Sequence, residues 1–307
     1  MPIKRDILAA LAYFDLFEYP LTQTEIFIFL TNTCSYEDFL RALHHLASEN
    51  HVCRFDEFYS LQDNYSLVQR RRNGNFKARK MIETAQKVAA LLSAFPFVRG
   101  IAVSGSLSKN FADENSDIDF FIITSKNRLW LARTFMHCFK KLTFLFNKQD
   151  WFCMNYYIDE ESLQIKEKNV YTAIEIATLL PLRGINAFKD FYTANTWCMN
   201  LLPNHGMKVS YLRDSKRPWL TRLIEALLNN PLGNFLDMIF MKLTAHRWAI
   251  KTKKRKLNKR GDVLGMDTNK HYAKPNPQAF QNKLLARYEN KLYALYRNYD
   301  NKIRTFS

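Results

Sequence analysis

The sequence predicts a helix-rich α/β fold of the α+β kind, with a small mixed sheet surrounded by helices. Three observations carry this. Two apolar runs, Val98 to Val103 and one beginning around Asp117 and Asp119, flank a polar loop, and a third run follows at Trp151 to Ile158. Only 8 glycines occur in 307 residues, so few positions invite a backbone break. Over most of the remaining chain the apolar residues recur at helical spacing. A hydrophobic share of 47% with 24% charged residues excludes a disordered chain and suits one that buries a sizeable core.

Residues 1–63 read as one module. Ile3 to Phe17 is helical, Tyr19-Pro20-Leu21-Thr22 interrupts it, and a second helix runs from about Thr24 to Leu30. Ser35 is placed to cap a third helix, Tyr36 to Glu49, with Asp38 at its third position as in a capping box. His51 to Arg54 and Phe58 to Leu61 then form a hairpin around Asp56-Glu57. Three helices and a hairpin in this order resemble a winged helix-turn-helix, whose third helix would present Arg41, His44 and His45 to DNA. Charge argues for packing or partner binding instead, because residues 1–95 hold 11 Lys and Arg against 11 Asp and Glu.

Residues 64–95 read as a linker and a long helix. Arg70-Arg71-Arg72 near its start is a solvated face on the plain reading and a phosphate contact on the sharper one. Met81, Val88, Leu91 and Leu92 give the buried stripe, and Pro96 ends the helix before the first strand.

The stretch Ile101 to Thr124, IAVSGSLSKNFADENSDIDFFIIT, organises the rest. In a strand, Asp117 and Asp119 project side by side while Ile118 and Phe120 take the other face. Two carboxylates so close repel unless a cation lies between them, and carboxylate oxygens suit Mg2+. Gly105 lets a phosphate approach the backbone, and Ser106 adds a hydroxyl and an N–H at a helix start. Gly105-Ser106, a ten-residue spacer and Asp117-Ile118-Asp119 resemble the signature of the polymerase-beta-type nucleotidyltransferases, especially their small-molecule and minimal branch. One departure is Asn110, which stands where a glycine often follows.

The resemblance implies transfer of a nucleoside monophosphate from a nucleoside triphosphate, most often ATP, to an acceptor hydroxyl, with Mg2+ and release of pyrophosphate. Asp117 and Asp119 would be catalytic and would hold the metal, and Gly105, Ser106 and Lys109 would contact the nucleotide. The acceptor stays open. The family usually carries a third carboxylate on the third strand, where alternation puts Cys153, Asn155, Tyr157 and Asp159 on one face. Asn155 occupies the middle of that face, and an amide cannot act as a base. Asp150, Asp159 and Glu175, the last in the helical run TAIEIATLLPL, are the other candidates. Without a third carboxylate, the rival reading is a catalytically inactive nucleotide sensor with a DNA- or partner-binding winged-helix module.

Residues 96–165 thus form the expected core and residues 166–307 a helical region, with Arg128 to Phe146 the core's own helix. The aromatics of Tyr171 to Leu202 read as packing, and Trp219 to Leu228, Pro231 to Lys256 and Pro277 to Arg297 as further helices. Positive charge is concentrated here: residues 206–307 carry 22 Lys and Arg against 7 Asp and Glu. The run Lys251, Lys253, Lys254, Arg255, Lys256, Lys259 and Arg260 is a solvated face on the plain reading and suits RNA or another polyanion, acidic lipid or a triphosphate on the sharper one. Five scattered cysteines fit reduced thiols and a cytoplasmic protein, and no window is apolar enough for a transmembrane segment.

Overall fold

A computed structural model describes residues 2–143, 153–206, 217–254, 265–275 and 278–306. The chain opens with α1 (Pro2–Asp15), β1 (Leu21–Thr22), α2 (Gln23–Ile28), α3 (Tyr36–Ser48) and a hairpin of β2 (Cys53–Phe55) and β3 (Phe58–Ser60). The long helix α4 (Ser66–Leu92) leads into β4 (Val98–Val103), the single turn α5 (Gly105–Ser108) and β5 (Asp119–Thr124). Next come α6 (Leu129–Thr143), β6 (Cys153–Asp159), α7 (Val170–Ala177), β7 (Leu180–Arg183), α8 (Ile185–Ala194) and α9 (Cys198–Leu201). The last third holds α10 (Trp219–Leu228), α11 (Pro231–Lys253), β8 (Met266–Thr268), β9 (Tyr272–Pro275) and α12 (Gln278–Phe306). This is the mixed, helix-rich α/β architecture expected.

Six strands form the main sheet in the order β7-β4-β5-β6-β9-β8. The β5–β6 pair is parallel, joined across one face by α6, and the other pairs are antiparallel. Helices cover both faces of β5, which is why its sequence is apolar from Phe120 to Ile123. Phe120 and Ile122 pack with Trp130, Val88 and Leu92 of α6 and α4, whereas Phe121 and Ile123 pack with Phe188, Phe191 and Ile174 of α8 and α7. Each of these fully buried large side chains contributes ~1.5–3 kcal/mol.

Three strands lie in the region expected to be helical. The helix of TAIEIATLLPL stops at Ala177, because Pro181 cannot continue it, and Leu180–Arg183 pairs with β4 as an edge strand, a position that tolerates proline. Beyond β6, β9 and β8 complete the opposite edge.

Of the three consecutive arginines of α4, Arg72 stays on the exposed face and Arg71 is buried, against the expectation of a solvated face. Arg71 is buried, pairs with Glu25 at 2.7 Å, donates to Pro20 O and lies 3.8 Å over the Tyr19 ring. Arg70 donates to the carbonyls of Phe17 and Glu18, and Arg72 pairs with Asp56 and Glu57 at the hairpin tip. Together they fasten the N-terminal helices and hairpin to α4. From the other side α12 packs on α1, through Tyr13 against Tyr288, Tyr288 Oη donating to Ala9 O, and the ion pairs Arg5–Asp300 and Lys291–Asp15. One apolar core therefore runs from α1 across a sheet face to α7, α8 and α12.

Candidate active site

The site lies where β4 ends and β5 begins. Ser104 N donates to Asp119 O at 2.9 Å, so the turn leaving β4 starts beside the second motif carboxylate. Gly105 follows at φ +71°, in the left-handed region, and a Cβ there would stand 3.1 Å from Asp119 Oδ2. Only glycine meets both conditions without cost. The turn of α5 ends at Lys109, and Asn110 adopts φ +57°. Asparagine is among the residues that tolerate this conformation, so it serves where glycine is commoner. Phe111 then packs against Gly74 of α4, where no side chain intervenes, and Ala112 N donates to Gly74 O.

Asp117 precedes β5 and Asp119 opens it. Both are half-exposed, whereas the alternate residues Ile118 and Phe120 are buried. Ser106 is exposed on the turn beside them. Lys109 is held: its Nζ donates to Gly105 O at 3.1 Å and to Glu175 Oε1 at 2.7 Å, and its carbonyl accepts from Tyr19 Oη at 2.5 Å. Glu175 is thus the partner of Lys109. The N-terminal helices reach the motif through Tyr19, a contact with no signal in the sequence beyond an aromatic residue before a proline.

On β6 the register slips: Phe120 faces Met154 but Phe121 faces Tyr156, leaving Asn155 as the extra residue of a bulge. Bulges re-aim side chains, and here Asn155 Nδ2 donates to Asp119 Oδ1 at 2.5 Å while its Oδ1 accepts from the Cys153 thiol at 3.1 Å. Burial, with Asp119 next to it, pushes the Cys153 thiol up to about 12, and Lys140 of α6 opposes this only partly. The sulfur stays protonated at neutral pH and can donate. Simple alternation therefore fails past Met154. Tyr157 packs with Met154 on one face, and Tyr156 stacks on Phe121 at 4.9 Å on the other.

Asp159 lies elsewhere. It pairs with Thr124 at the far end of β5, five residues and ~17 Å along the strands from Asp119, on the opposite face after the bulge. It is fully buried and accepts from Asn127 N, Glu161 N and His271 Nδ1. Asp150 lies outside the described residues. Among those described, no group of three or more His, Cys, Asp or Glu side chains could hold a metal ion, so the donor set at the motif is Asp117 and Asp119, with the Asn155 amide beside them.

No curated protein and no solved structure matches the chain. Residues 85–180, from the second half of α4 to the start of β7, match the family model described as nucleotidyltransferase domain. That span contains the strand, Gly-Ser turn, Asp-x-Asp strand and bulged strand described above. Consistent with the polymerase-beta-like resemblance, the chain carries a nucleotidyltransferase domain over residues 85–180.

Proposed function

We propose that this protein transfers a nucleoside monophosphate from a nucleoside triphosphate, most simply ATP, to an acceptor hydroxyl, with Mg2+ and release of pyrophosphate. The observation that carries the reading is the left-handed Gly105 set against the Asp119 carboxylate, with Asp117 two residues before it. The residues suit Mg2+: two half-exposed carboxylates supply hard oxygen donors, and the missing Cβ of Gly105 lets the Asp119 carboxylate lie close against the turn. Mg2+ held by Asp117 and Asp119 would neutralise the polyphosphate and lower the pKa of the acceptor hydroxyl.

The remaining roles belong to the chain itself. Gly105 admits a phosphate oxygen close to the backbone, and the exposed Ser106 hydroxyl donates to it. Lys109, neutralised by Glu175, fixes the turn through Gly105 O and leaves a weaker field for the nucleotide than a lone ammonium would. Asn155 orients Asp119 and takes no proton, which is the observation favouring the second reading, a nucleotide sensor without turnover.

For the rest of the chain we propose a winged-helix-like partner-binding module at 1–63, joined by 64–95 to a catalytic core at 96–165 and a helical region at 166–307, basic towards its C-terminal end, that meets a polyanionic surface, all in the cytoplasm. DNA binding is disfavoured for the module, because its acidic hairpin tip is bound to Arg72 and Arg41 is paired with Asp38. The test incubates the protein with Mg2+, ATP labelled at the α-phosphate and a cell extract, and follows which fraction gains label. Label should pass to an acceptor in the wild type and at least ~10³-fold more slowly in Asp117→Asn. Transfer retained in that variant would sink the catalytic reading.

A further inference from the structure

We propose that the outward face of α10 and α11 docks on an anionic lipid bilayer. The inference is independent of the reaction assigned above. On α10, Trp219, Leu223 and Leu227 are exposed, Trp219 to 70% and Leu227 to 61%. On α11, Leu232, Phe235 and Leu243 are exposed as well. Apolar side chains this large, gathered on two consecutive helices, are uncommon on a surface that faces only water. Where burial was available the same helices used it: Thr221 Oγ1 donates to Ala94 O, and Leu228 and Leu236 pack on Phe97 and Leu131. The hairpin is thus anchored by one side and leaves the other open.

Charge identifies the occupant. Residues 217–254 contain two acids, and both turn inward. Glu225 accepts from Phe97 N and pairs with Arg99, while Asp237 is buried and accepts from Leu131 N at 2.8 Å. Of the seven basic residues in this span, Arg217 pairs with Glu225, and Arg222, Lys242, Arg247, Lys251, Lys253 and Lys254 are exposed. The open face therefore offers apolar side chains and cations with no acid among them. Interfacial helices that bind acidic membranes carry this combination: Trp, Leu and Phe enter the headgroup–acyl boundary, and Lys and Arg remain among the phosphates. No described helix is long and apolar enough to cross a membrane, so the contact is peripheral.

Two other occupants fit less well. A second copy packed about a two-fold axis would bring six cations against six more, with no acid on the face to offset them. A nucleic acid would match the cations, but its phosphates give exposed leucines no partner.

The full-length protein should be sedimented with vesicles of phosphatidylcholine alone and with vesicles containing phosphatidylserine. Binding to the anionic vesicles should exceed binding to neutral ones by at least ~10-fold at low salt, since each cation near an acidic surface adds to the attraction. Leu223→Asp with Leu227→Asp should abolish it, and Lys253→Glu with Lys254→Glu should reduce it at least ~10-fold, both with wild-type melting temperature. The charge pair keeps the test decisive if the leucine pair fails to fold. Equal binding to both vesicle types, no binding, or binding unaffected by the charge pair would overturn the proposal. So would a wild-type dimer that the leucine pair dissociates, or retention on RNA in the absence of vesicle binding.

Discussion

The two ends of the β5–β6 pair carry acidic side chains under opposite conditions. At the end where both strands begin, Asp117 and Asp119 are half-exposed, with Asp119 close against a glycine that carries no side chain. Where the strands finish, Asp159 and Asp237 are buried and their oxygens are occupied by the backbone N–H groups of Asn127, Glu161 and Leu131. A carboxylate enclosed by donors of its own chain holds the fold, because its removal strands several buried N–H groups. One that solvent can still reach can bind something else. The same residue type thus has a structural use at one end of a strand pair and, on the proposed function, a chemical one at the other.

Exchanging the side chains should separate the two uses. The largest effect is expected at the open end, where Asp117→Asn should remove at least ~10³-fold of transfer while the melting temperature stays near that of the wild type. At the closed end Asp159→Ala should leave turnover per folded molecule unchanged and cost ~3 kcal/mol of stability, read by denaturant unfolding. If Asp159→Ala abolished transfer without loss of stability, the division between the ends would be wrong.

A smaller effect, dependent on pH, belongs to Asp237. Burial raises its pKa to about 6, above the ordinary value for an unfolded chain. Its contribution to stability is therefore full below about pH 4 and is lost as pH rises through about 6, because the charged form is the one the fold disfavours. Asp237→Asn, which keeps an acceptor for Leu131 N, does not titrate. From pH 4 to pH 8 the balance of stability should shift towards the variant by ~2 kcal/mol. A constant difference across that range would show that Asp237 is not strained by ionisation.

Much of the fold and of the open end is legible in the residue pattern, and the unread part has physical reasons. The alternation of Asp117, Ile118, Asp119 and Phe120 reports directly which side chains are buried, since local pattern and burial coincide in a covered strand. Ser35 and Asp38 likewise signal the start of α3, where the cap is a contact three residues long. The bulge at Asn155 leaves no such trace. It depends on the register between two strands more than thirty residues apart, and it moves Asp159 to the face opposite Asn155. Strands β7 and β9 are only four residues long and are made by the edges they pair with. Arg71 reads as a surface cation because its partners Glu25, Pro20 and Tyr19 lie about fifty residues earlier. Lys109 and Glu175 fail to announce each other for the same reason, at a separation of 66 residues.

The open end is tested most directly by the affinity for a nucleoside triphosphate, measured by calorimetry with and without Mg2+ in the wild type and in Asp119→Asn. Mg2+ should tighten binding at least ~10-fold in the wild type, and Asp119→Asn should lose most of that gain, since half the negative charge that would hold the ion is gone. An equal Mg2+ effect in both proteins, or none in the wild type, would contradict a metal-dependent nucleotide site at Gly105, Asp117 and Asp119.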